Sequence, residues 1–198
     1  EMAAEHDEAL MELYFDKGTL TQDDIRSGLK IGLARREVMP IFCTSGRYDI
    51  GTKRLMEFII NVAPGPLKAP KFLTTEGEEL DADETQPAVA FVFKSQIEQH
   101  IGEISYFRVI RGKLTEGCEL VNTRTGNKEK LSQLFAVAGK NRIKVTELSA
   151  GDIGCTVKLK GTRTNDTLAA AAAPVTVEPI VFPEPRYRAA VKCKEQAD

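Results

Sequence analysis

Short β-branched and aromatic runs separated by glycine-bearing turns fill the second half of the chain, at 88–94, 103–111, 117–122, 128–137, 143–147, 153–160 and 174–182. That rhythm predicts an all-β barrel or sandwich. The runs 117–122 and 128–137 meet over Thr123-Arg124-Thr125-Gly126-Asn127, where Gly126 supplies the positive φ of a hairpin tip. Run 103–111 is apolar on both faces, with Ile104 and Tyr106 on one and Phe107 and Val109 on the other. A small barrel buries one of them, so the second face is expected to pack against another domain, either the helical segment or one outside this sequence. Ala169 to Ala173 is too short for a free-standing helix and ends at Pro174, which predicts a compact connector.

The first third has helical spacing instead. Residues 4–15 carry Leu10, Met11 and Tyr14 on one stripe, and a turn at Lys17-Gly18 ends that helix. Thr21 reads as the N-cap of a second helix, with Asp23 and Asp24 in the first turn and Ile25, Leu29 and Leu33 on its apolar face. Val38 to Cys43 has the length of a strand, and Pro40 within it argues for an edge position. A third helix is expected over 53–62, with Leu55, Phe58, Ile59 and Val62 inward, and stops at Ala63-Pro64-Gly65-Pro66. The stretch 67–87 turns to Pro, Thr, Gly and acid and reads as an exposed linker, which proteolysis is expected to cut first; the alternative is a long entry loop packed on its neighbours.

Charge adds a division that the net value of −2 conceals. Residues 1–87 hold 10 basic and 17 acidic side chains, whereas 88–182 hold 13 and 9. The basic excess of the β-rich part suits a polyanionic partner or, being modest, a plain solvated surface. Its cations Arg108, Arg111, Lys113, Arg124, Lys128, Lys130, Lys140, Arg142 and Lys144 fall at expected strand ends and hairpin tips. No aromatic platform accompanies them, so phosphate and shape contacts with a structured RNA fit better than base stacking. The first six are the candidate RNA contacts, unless they form surface ion pairs with Glu116, Glu119 or Glu129.

Catalytic chemistry finds no support. The sequence has no Gly-x-Ser-x-Gly elbow, no His-Glu-x-x-His and no G-x-x-x-x-G-K-[ST] phosphate loop. Four separated cysteines with two histidines make no zinc pattern, and the acids of 76–84 do not follow a calcium loop, so no metal site is expected. No apolar run approaches the roughly 18 residues of a membrane span. The loop Ser45-Gly46-Arg47, after an apolar run and before a helix, is the one place where nucleotide chemistry touches the sequence.

Several of these segments carry a resemblance to the elongation factor G family of translational GTPases. Phe107-Arg108-Val109-Ile110-Arg111-Gly112-Lys113-Leu114, Ala150-Gly151-Asp152-Ile153-Gly154 and Lys158-Leu159-Lys160-Gly161-Thr162 resemble its second domain. Glu8 to Tyr14, Leu20-Thr21 and Pro40 to Cys43 resemble the end of its GTPase domain, and Phe182-Pro183-Glu184-Pro185 resembles the entry to domain three. The resemblance implies a mainly β fold: an antiparallel β-barrel of the translation-factor domain-two type, preceded by a small α/β segment. It divides the chain into 1–66, the C-terminal part of a GTPase domain; 67–87, the linker; 88–182, the barrel; and 183–198, a truncated start of domain three. By the same resemblance Ser45, Gly46 and Arg47 stand in the guanine-recognition loop, where a backbone N–H meets the purine carbonyl; Gly46 and Arg47 depart from the family's usual residues. The parent is expected to be cytoplasmic, to use GTP and magnesium, and to dock on small-subunit ribosomal RNA in translocation or recycling. The chain itself is expected to hold no cofactor. A ribosomal protection protein, another paralogue and a stand-alone RNA- or protein-binding barrel are the alternatives.

Overall fold

The computed structural model describes residues 3–99, 101–139 and 141–190. Three helices come first: α1 (Glu8–Lys17), α2 (Gln22–Ala34) and α3 (Thr52–Asn61). Asp7 caps α1 by accepting from the Leu10 N–H, and Gly18 closes it in the left-handed conformation. Thr21 and Asp24 form a reciprocal capping box at α2, which satisfies two N-terminal donors at once. None of the three helices buries a large side chain fully; α2 is closest packed at Gly28 and Gly32. Ile25 and Ile59, expected inward, are 40% and 49% exposed.

The strand expected over Val38 to Cys43 does not form. The chain there is extended but has no ladder partner among the described residues, and Met39 and Ile41 are almost fully exposed. A strand needs a neighbour to accept its hydrogen bonds, so an apolar run alone does not make one.

The β domain is built as expected in class, and its sheet is antiparallel. Twelve strands follow the helices: β1 (Phe72–Leu73), β2 (Glu79–Leu80), β3 (Val89–Glu98), β4 (Gly102–Arg111), β5 (Lys113–Thr115), β6 (Glu119–Asn122), β7 (Lys128–Lys130), β8 (Leu134–Ala138), β9 (Asn141–Val145), β10 (Glu147–Ser149), β11 (Ile153–Val157) and β12 (Thr167–Ala169). Eight of them form one sheet in the order β7-β6-β12-β3-β4-β11-β8-β9, while β5 pairs with β10 and β1 with β2. Val92, Phe107, Val109, Leu114, Leu120, Leu134, Leu148 and Leu168 share one core. Strands from both halves of the sheet order and from the β5–β10 ladder meet there, so the sheet rolls around its core as a barrel does. Gly154 permits a close crossing: a Cβ would lie 2.4 Å from Leu148 Cδ1 and 2.9 Å from the Phe135 carbonyl oxygen.

Three sequence expectations are corrected here. The run 128–137 is two strands with a break at 131–133, because Leu131 leaves the β7 direction to enter the core. The run 174–182 makes only an isolated bridge, Thr74 to Val177, whereas Thr167–Ala169 is an interior strand between β3 and β6. The stretch 67–87, expected to be exposed, packs in part against the β strands. Leu80 is buried, and with Phe72, Val175 and Val177 it covers Val89, Phe91 and Ile110 on the second face of β3 and β4. Lys71 holds Glu79 at 2.9 Å and Asp81 at 3.0 Å across that hairpin. That face is thus covered from within the chain near Ile110, while Ile104 and Tyr106 lie in a separate cluster with Cys155, Val157, Phe135 and Val137.

Residues 183–190 are exposed without regular structure, and 191–198 of the expected start of domain three lie outside the described residues, as does Lys140. Limited trypsin digestion is therefore expected to cut first at Arg36 and Arg47, within the exposed stretch 35–50, and at Arg186 or Arg188. Lys71 should be protected; cleavage at Lys71 ahead of these sites would show that the entry hairpin is not packed.

Candidate functional site

Most basic side chains of the β domain are already engaged. Arg108 lies mid-strand in β4 with its guanidinium 5.3 Å from the centre of the Phe72 ring, and Arg111 donates to the Pro87 carbonyl at 3.2 Å. Lys113 sits between Glu84 at 3.0 Å and Glu147 at 3.3 Å. Lys144 meets Glu116 at 2.7 Å, and Arg142 pairs with Glu98. The two carboxylates hold the Lys113 ammonium above its usual pKa.

Arg124 is also engaged, although its place on a hairpin tip suggested an outstretched cation. Its Nε donates to Asp166 Oδ1 at 2.6 Å, and its Nη2 donates to Asp166 Oδ2 at 2.8 Å and to the Gly161 carbonyl at 2.9 Å. The tip itself forms as the sequence indicates. Gly126 has φ 72° and its N–H donates to the Asn122 carbonyl at 2.8 Å. A bidentate guanidinium–carboxylate pair is the strong form of such contacts, so Arg124 ties the tip to the 161–166 loop.

Lys128 and Lys130 differ from these four candidates. They alternate outward on β7, both exposed, and form no ion pair among the described residues; Glu119 stands opposite Lys130 in the ladder without bridging it. Between them Glu129 points inward and is 2% exposed. It is not the surface partner the sequence suggested. Its carboxylate accepts from the Lys160 N–H at 2.9 and 3.1 Å and from the Thr162 hydroxyl at 2.9 Å.

Those bonds lay the loop after β11 alongside β7, and that loop carries Lys158, Lys160 and Arg163, all exposed and without a carboxylate partner among the described residues. The five cations Lys128, Lys130, Lys158, Lys160 and Arg163 belong to two segments joined through one buried carboxylate. The last three were not among the sequence candidates. The signal available was the repeat of one pattern, since Lys158-Leu159-Lys160 alternates around a buried residue as Lys128-Glu129-Lys130 does. Such an arrangement can neutralise several phosphates at once and offers no nucleophile or acid–base pair.

The Ser45-Gly46-Arg47 loop lies elsewhere. Ser45 and Ile50 exchange backbone hydrogen bonds at 2.9 and 3.1 Å, closing a tight turn that leads into α3. Nothing lies within 4 Å of where a Gly46 Cβ would stand, so this turn accepts glycine or alanine alike. The Arg47 guanidinium is 5.6 Å from the Tyr48 ring centre. Among the described residues, neither Gly46 nor Arg47 makes a hydrogen bond or ion pair with that cationic surface.

Among the described residues no group of three or more His, Cys, Asp or Glu side chains is placed to hold a metal ion, and no helix is long and apolar enough to cross a membrane.

Comparison with known proteins agrees with this architecture. The fold is similar to a crystal structure of a Thermus thermophilus protein, with a TM-score of 0.70 and 26% sequence identity over 93% of this chain and 26% of that one. This chain spans about a quarter of that protein's length. Residues 87–171, from just before β3 to just past β12, match the family described as elongation factor G domain 2.

Proposed function

We propose that the β domain docks an elongation-factor-G-type GTPase onto the ribosome, and that its docking surface is the cationic face formed by Lys128, Lys130, Lys158, Lys160 and Arg163. The observation that carries the reading is the division of labour among the cations. Among the described residues, those elsewhere in the domain are engaged by carboxylates, carbonyls or rings, while these five stay exposed on two adjoining segments. Polyanion binding works by releasing counterions from phosphates, and a cation already paired with a carboxylate contributes little to it.

In this reading the partner is structured small-subunit ribosomal RNA, met through its phosphates. The 45–51 turn supplies one backbone contact to guanine in a whole protein that uses GTP and magnesium. One such hydrogen bond is worth roughly 1 kcal/mol net, so this chain alone does not hold the nucleotide. Translocation or recycling in the cytoplasm is the role that fits the family.

Tethered cleavage tests the reading. An iron-EDTA radical probe is attached at Lys130→Cys in a chain whose Cys43 and Cys193 are replaced by serine, and in a second chain at Ile153→Cys, beside Arg108. With small ribosomal subunits, the Lys130 probe should cut the RNA at discrete positions and the Ile153 probe should not. Discrete cuts from Ile153 alone would move the docking surface to the Arg108 side.

A further inference from the structure

We propose that Glu129 is a positioning residue for the cationic face: its buried carboxylate fixes the Lys158–Arg163 loop so that the loop and β7 present their charges as one surface. This rests on the docking reading above and adds to it a residue that touches no RNA.

The geometry is unusual for a carboxylate. Glu129 is 2% exposed and has no cation within ion-pair distance among the described residues, although lysines flank it in sequence on both sides. Burying a carboxylate is costly unless hydrogen bonds compensate. The compensation comes from the loop alone, through the Lys160 N–H and the Thr162 hydroxyl. Thr162 then accepts from Asn122 Nδ2 at 3.1 Å, and Asn122 donates to Asp166 at 2.8 Å, so Glu129 is one end of a continuous buried polar chain.

Local backbone strain points the same way. Lys158 has φ 65°, in the left-handed region that a long side chain seldom adopts. Such a conformation persists where surrounding contacts over-determine it, and the bonds from Glu129 two and four residues further on are those contacts. Polar bonds of this kind do more than an apolar contact would, because they fix the height of the loop relative to β7 as well as its proximity.

Charge alone predicts the opposite result from positioning. Removing a negative group from among five cations should tighten polyanion binding. If Glu129 positions the loop, removing it should weaken binding. The test compares Glu129→Ala, Glu129→Gln and the triple variant Lys158→Ala/Lys160→Ala/Arg163→Ala in the full chain. Two quantities are read: hydrogen exchange at the Lys160 amide, and the slope of log affinity against log salt for small ribosomal subunits.

Glu129→Ala should release the Lys160 amide and lower the slope by about two units, close to the triple variant, since each phosphate contact contributes about 0.9 or slightly less. Glu129→Gln keeps an acceptor for that amide and should restore most of the slope. Should Glu129→Ala fail to fold, Thr162→Val removes one of the two loop partners at constant charge and should lower the slope by a smaller amount. A released loop with the slope unchanged, or with tighter binding, while the triple variant loses slope, overturns the positioning role and leaves docking intact. A triple variant with the wild-type slope overturns the docking reading itself, and the inference with it.

Discussion

Replacing Asp166 by alanine is expected to cost about 3–4 kcal/mol of folding stability, among the largest losses available to a polar substitution in this domain. Asp166 is 2% exposed and collects two bonds from Arg124, one from Asn122 Nδ2 at 2.8 Å and one from the Arg163 N–H at 3.0 Å. Its loss leaves the buried Asn122 amide short of a partner and cuts the tie between the β6–β7 tip and the 161–166 loop. Against a typical total of about 5–15 kcal/mol, that is a large share. Arg124→Ala should cost only about 1–2 kcal/mol, because the Arg124 side chain is 39% exposed and Asp166 keeps its other two donors.

The same carboxyl sets a pH dependence. Burial pushes its pKa up, but Arg124, the Arg163 N–H and Asn122 together outweigh burial and hold it below the ordinary aspartate value. A folded pKa below the unfolded one means that the contribution is complete above about pH 4 and is lost as the pH falls through the lower folded value. Urea midpoints should therefore separate the wild-type chain from Asp166→Ala widely at neutral pH, and the gap should narrow in acid below that point. A gap that stays constant with pH would show that Asp166 is not held ionised by these partners.

Local signals in the sequence located what local chemistry determines. The Thr21 N-cap and the turn at Gly18 depend on residues three or four apart, and they appear where the spacing put them. The Gly126 hairpin tip also formed as read. What failed depended on partners distant in sequence. Val38 to Cys43 has the composition of a strand without a ladder partner among the described residues, and Thr167–Ala169 is a strand because β3 and β6 flank it. The 67–87 stretch looked like a solvated linker because its acids are numerous, yet Phe72 and Leu80 pack inward.

Site residues follow the same division. An abundance of exposed cations in the β half was legible, but the state of each was not. Arg124 is engaged by Asp166, 42 residues away, and Lys113 by Glu147, 34 away; neither separation leaves a mark in the sequence. Of the six candidates, only Lys128 and Lys130 remain exposed without an ion pair among the described residues. Glu129 between them reads as an alternating-charge surface strand until its burial is seen.

The second large effect concerns affinity. Alanine at Lys128, Lys130, Lys158, Lys160 and Arg163 together should lower the salt slope for small-subunit binding by about 3–5 units, at roughly one unit or slightly less per contact. These side chains are exposed and make no ion pairs among the described residues, so folding stability should change little. Alanine at Arg111, Lys113 and Lys144, which are already engaged, is the control of matched chemistry and should leave the slope nearly as it was. The most direct single measurement is that slope, taken by co-sedimentation with small ribosomal subunits between about 50 and 200 mM salt, for the wild type, the five-site variant and the control. The docking account predicts a steep slope that only the five-site variant flattens. An unchanged slope in the five-site variant, or an equal loss in the control, would contradict it.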